Sequence, residues 1–147
     1  MKKFIMATVA ASFCLFLIVS VAQAQGDIDR AQEGATLVAA SKYMIAQGQK
    51  IQAAKNLDRA MLVDTGHQLI KNGYSDIQNG EFCYSDEGKS YLQQVGRKCL
   101  EAGQVLLKIG RGQGALTQKE NDEIAKQAKL LQEFGKLMLA NGQMMGG

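Results

Sequence analysis

The sequence predicts an all-α protein, a small bundle of about four amphipathic helices joined by glycine-rich seams, behind a cleavable export signal. Three observations carry this reading. Proline and tryptophan are absent, and beyond the first two dozen positions β-branched residues are few while Ala, Gln, Leu and Lys, all good helix formers, abound. A pattern of apolar residue, small residue, apolar residue and Gly, at steps of 4, 3 and 4, recurs along the chain. The N-terminal segment, finally, has a composition of its own.

That segment has the three parts of an export signal: cationic Lys2 and Lys3, an apolar run from Phe4 to Val21, and the small-residue end Ala22-Gln23-Ala24. Cleavage after Ala24 gives residues 1–24 as signal peptide and 25–147 as a single helical domain beginning at Gln25. A retained membrane anchor is the competing reading, because the run approaches spanning length. Cys14 does not suggest a lipoprotein, since Phe13 puts bulk where a small residue is needed. Loss of the two lysines lowers the formal charge from +3 to +1. Such a near-neutral chain gives no electrostatic case for nucleic acid. No later apolar run approaches membrane-spanning length, so stable insertion after cleavage is not expected.

The repeat places the helices. Its four copies are Leu37, Ser41, Met44, Gly48; Leu62, Gly66, Leu69, Gly73; Cys99, Gly103, Leu106, Gly110; and Leu131, Gly135, Met138, Gly142. Steps of 4 and 3 keep one helix face in register, so each set is a stripe, widened by partners such as Val38, Ile45, Val63, Ile70 and Leu107. With the closing glycines taken as helix ends, the segments run about 27–47, 50–72, 86–109 and 118–141. Ser85 before Asp86 and Glu87, and Thr117 with Glu120, are start signals for the last two. Gly48 runs directly into Gln49-Lys50-Ile51, so the first two segments form either a hairpin or one bent helix from Asp27 to Asn72. Gly66, Gly103 and Gly135 sit mid-helix, where each costs about 1 kcal/mol relative to Ala. Their recurrence points to seams where two helices approach closely, or else to a groove that admits a ligand.

Few residues suggest chemistry. Cys83 and Cys99 remain as a pair after cleavage and are expected to form a disulfide in an oxidising compartment. That bond requires the third helix to start nearer Ser90, with Gly80 and Gly88 easing a turn that brings Cys83 back, because Cys99 would otherwise lie about 20 Å along the helix. His67 is the single histidine and flanks the buried stripe. With Met144 and Met145 in a frayed tail, it is a weak metal candidate that lacks a ligand set. Gly110-Arg111-Gly112-Gln113-Gly114 reads as a flexible connector, with an anion-binding nest as the alternative. Asp76, Asn79, Glu81 and Asp86 are acidic and amide residues without calcium-loop spacing. No catalytic set can be assembled and no cofactor is implied. The functional expectation is a non-catalytic binding or scaffolding module of the cell envelope, periplasmic or secreted, whose partner is another envelope protein or a second copy. The alternative is a small periplasmic cofactor or metal carrier built in the bundle.

Overall fold

A computed structural model describes residues 29–54 and 57–146. The export signal and its cleavage site lie outside them. The chain is a four-helix all-α bundle: α1 spans residues 29–53, α2 Arg59–Glu81, α3 Asp86–Gly110 and α4 Gln118–Met144. None of these helices is long and apolar enough to cross a membrane.

Three N-caps are formed by short polar side chains that satisfy an otherwise orphaned helix N–H. Asp58 accepts from Met61 N at 2.7 Å, Ser85 from Gly88 N at 2.9 Å, and Thr117 from Glu120 N at 3.2 Å, the last as a full capping box. Ala54, Leu57 and Asp58 are not helical and Asp58 caps a new helix, so α1 and α2 are two helices and not one bent helix. Val38 on α1 packs at Gly142 near the end of α4, while Gly48 further along α1 meets Ala128 near its start, which makes this pair antiparallel. Gly66 and Gly73 on α2 meet Gly103 and Gly96 on α3 in the same antiparallel sense.

Every position of the four stripes is buried. Leu37, Met44, Leu69, Cys99, Leu106 and Leu131 are fully enclosed. Only α3 ends at its closing glycine, Gly110; α1 continues past Gly48, α2 past Gly73 to Glu81, and α4 past Gly142. Among the described residues only Gly114 and Gly146 have the positive φ of a glycine cap, at 74° and 98°. The reason is close contact. A Cβ on Gly103 would lie 2.8 Å from Gly66 O, and one on Gly66 would lie 2.9 Å from Gly103 O. A Cβ on Gly135 would meet Ile45 Cγ1 at 2.7 Å and Ser41 O at 3.2 Å. Small residues thus recur every seven positions: Gly34, Ser41 and Gly48 face Gly142, Gly135 and Ala128, and Gly66, Gly73 and Gly80 oppose Gly103, Gly96 and Lys89. A strict seven-residue repeat keeps one seam facing its partner along the whole helix.

The expected disulfide is absent: Cys83 and Cys99 are both free. Helix α3 starts at Asp86, on the cap formed by Ser85, and not near Ser90. Cys99 therefore stands about 20 Å along the helix from its start. Its side chain is wholly buried in the core while Cys83 lies half-buried in the turn before α3. Gly80 and Gly88 do not loosen that turn, because Gly80 packs within α2 against α3 and Gly88 faces Glu33.

Candidate functional site

The seams bind α1 to α4 and α2 to α3 so closely that backbone meets backbone. The face between α1 and α2 is built differently, with longer polar and aromatic side chains. A cleft of about 240 Å³ lies there, lined by Thr36, Ala40 and Tyr43 from α1 and by Asn72, Asp76 and Asn79 from α2. Thr36 and Asn79 also line a larger hollow of about 430 Å³ that runs on to Glu33, Phe82, Cys83 and Tyr84. The two share Thr36 and Asn79 and form one groove that runs from Asp76 to the α2–α3 turn.

Asp76 sits on the α2 stripe, three residues after Gly73, and is 8 % exposed. Its Oδ2 has no hydrogen-bond partner, and neither has the Tyr43 hydroxyl across the cleft. Burial pushes the Asp76 carboxyl up to about 6, because the charged form loses water and gains nothing in return. Burial, with the Asp76 charge behind it, also pushes the Cys99 thiol of α3 up to about 12, which makes it an inert core group. The Tyr43 phenol is raised by burial, and Asn72 draws it back in part. No hydrogen bond of normal geometry satisfies that hydroxyl, and the Asn72 amide donates to Gln68 O at 2.9 Å.

At the turn end of the groove Phe82 and Tyr84 are 74 % and 85 % exposed. The turn that carries them is held by Glu33 of α1, whose carboxylate accepts from the backbone N–H of Tyr84 and Ser85 and from the Ser85 hydroxyl. Arg30 adds an exposed ion pair to Glu87 at 3.1 Å. The aromatics are therefore displayed on a fixed turn.

The opposite end of the bundle is organised by Arg59. Its guanidinium donates to the carbonyls of Ile109, Gly114, Gln113 and Ala115 and pairs with Glu120 at 3.1 Å. The glycine-rich connector is thus fastened to the bundle by its carbonyl oxygens. Such a loop cradles a cation, supplied by the chain itself, and does not form the anion nest of N–H groups. Hydrogen bonding from Thr117, followed by Arg59, pulls the Glu120 carboxyl down to about 2.

The metal candidates do not converge. His67 is exposed on α2, Met144 is exposed at the end of α4, and Met145 is buried in the core as the C-cap of that helix, so the tail is not frayed. Met44 and Met138 are core residues. Among the described residues no three His, Cys, Asp or Glu side chains are grouped as a metal site.

Tyr43, Asp76 and Glu33 were not singled out as a site by the sequence, although Asp76 carried a signal. The α2 stripe continues past Gly73 by steps of 3 and 4 through Asp76 to Gly80, which puts a carboxylate where Leu62 and Leu69 stand in earlier turns. Comparison with protein-family models, curated proteins and solved structures returned no match to this chain.

Proposed function

We propose that the protein is a non-catalytic helical binding module of the cell envelope, working through the α1/α2 groove and the aromatic turn at its mouth. Export rests on the tripartite N-terminal segment of the sequence. The observation that carries the binding role is the meeting, along the α1/α2 groove, of an unpartnered buried carboxylate and phenol with two displayed aromatic rings. Tyr43 and Asp76 are unsatisfied inside the groove, and Phe82 and Tyr84 project beside it. Exposed aromatic rings cost solubility and are the residue type that anchors binding interfaces. A cofactor or metal carrier would need a converging ligand set; His67 is exposed on α2, while Met44, Met138 and Met145 belong to the hydrophobic core.

Native mass spectrometry of protein purified from its own host tests this role. The parent should carry a bound protein or small molecule that the Phe82→Ser/Tyr84→Ser double variant loses, and its polypeptide should begin at Gln25. Equal retention in parent and variant, or no bound species in either, would overturn the reading. Retained Met1 would overturn the export step alone.

A further inference from the structure

We propose that the α1/α2 groove is a binding site for a primary ammonium group, seated against Asp76 and Tyr43. This inference rests on the reading of the groove as a binding face and names what it takes. A carboxylate with nine-tenths of its surface removed from water needs a counter-charge or a set of donors. Asp76 Oδ2 has neither among the described residues, and the ion pairs of the bundle lie elsewhere. The chain supplies such partners at other sites: Glu33 has three donors and Glu120 has Arg59. Asp76 is the exception, and it lines a cleft with room for a small ligand.

The chemistry of the lining selects the ligand. An ammonium carries one positive charge and three N–H donors, with no acceptor. Asp76 offers the charge and one acceptor, Tyr43 a second, and the amide oxygen of Asn72 or Asn79 a third; Asp76 Oδ2 and the Tyr43 oxygen are enclosed, so seating the ammonium turns both side chains toward the cleft. The Tyr43 ring adds a face that favours cations, and Ala39 and Ala40 give an apolar wall for an alkyl stem. An anion is repelled by Asp76 and, further along the groove, by Glu33. A divalent metal would need more oxygen ligands than one carboxylate and neutral groups provide. The ammonium can belong to a free alkylamine or to a lysine side chain of a partner protein.

Chemical-shift titration of the full mature chain with n-butylammonium, with a lysine-containing peptide and with butyltrimethylammonium tests the site. Butylammonium or the peptide should bind saturably and shift the Tyr43 and Asp76 resonances. The trimethyl analogue, which keeps the charge and loses the N–H donors, should bind about tenfold more weakly. Asp76→Asn should weaken the ammonium by a similar factor while remaining folded, and Tyr43→Phe should do so to a lesser degree. The titratable groups that face Asp76 are the Tyr43 phenol from α1 and the Cys99 thiol from α3. Both stay protonated at neutral pH, so affinity should fall as the solution is acidified below about 6. Tighter binding of the peptide assigns the site to a partner's lysine, and tighter binding of butylammonium assigns it to a free amine. Undiminished affinity in Asp76→Asn, equal binding of the trimethyl analogue, or no saturable binding of either amine would overturn the site. That failure would leave the aromatic-turn experiment standing, because its readout does not depend on Asp76.

Discussion

The α3–α4 end of the bundle and the α1/α2 groove treat a carboxylate in opposite ways. At the end, Glu120 is met by its own helix cap and by Arg59, and its proton affinity falls to about 2. In the groove, Asp76 is buried without a partner and its proton affinity rises to about 6. One arrangement stabilises the fold when the carboxyl is charged, and the other destabilises it. A molecule that satisfies its charges at one site and leaves one open at another has placed its unspent interactions at the second, which is where binding is expected.

Both carboxylates sit on a rigid helical frame, and breaking that frame should have the largest effect. Gly103→Leu forces a side chain into a seam where even a Cβ would stand 2.8 Å from a backbone carbonyl. Overpacking of this kind costs about 3 kcal/mol or more, with a matching drop in melting temperature. Gly103→Ala should also destabilise the fold, opposing the gain that alanine usually brings to a helix. A raised melting temperature in either variant would show that the seam has slack.

Next comes the clamp. Arg59→Ala removes the donor shared by four carbonyls and Glu120, and should cost about 2 kcal/mol, since charge-assisted hydrogen bonds are the strong ones. The parent should also lose stability as pH falls from about 4.5 toward 2, where the depressed Glu120 carboxyl takes up its proton. Chemical denaturation of parent and variant across that range checks both, because the variant should show a weaker acid dependence.

The smallest expected effect has the opposite sign. The folded-state pKa of Asp76 lies above its unfolded value, so its penalty is absent below about 3.8, grows as pH rises through about 6 and is complete above that. Asp76→Asn should therefore raise stability by about 1–2 kcal/mol at pH 7.5 and change little at pH 3.5, where both forms are neutral. Thermal melts at the two values decide it. A variant less stable than the parent at pH 7.5 would mean that Asp76 is already satisfied within the fold.

Much of the architecture was legible in the sequence because period and composition are local. The four stripes, the Ser85 and Thr117 starts and the all-α class follow from residue spacing alone. Helix ends were misplaced for a specific reason: Gly48, Gly73 and Gly142 have the same composition signature as caps, and only the opposing helix shows that they are contact points. The seven-residue recurrence of Gly66, Gly73 and Gly80 would have distinguished the two uses, since a cap occurs once per helix. The disulfide failed because pairing Cys83 with Cys99 required a late helix start, whereas Ser85 and Glu33 together fix an early one. The groove was less legible still. Tyr43 and Asp76 are 33 residues apart in sequence, and what joins them is the pairing of α1 with α2, which no local pattern encodes.

The two glycine seams also differ in how far the chain must travel to make them. The α2/α3 seam joins helices linked by a four-residue turn, residues 82–85, so its contacts are short-range. The α1/α4 seam brings together helices separated by that entire hairpin. Each doubling of loop length adds only about 0.6 kcal/mol of closure entropy, too little to weaken the finished bundle. It does set an order: short-range pairings assemble faster than long-range ones. The hairpin of α2 and α3 can stand as the template on which α1 and α4 close last, and the wall of the groove that carries Tyr43 belongs to the part that arrives late.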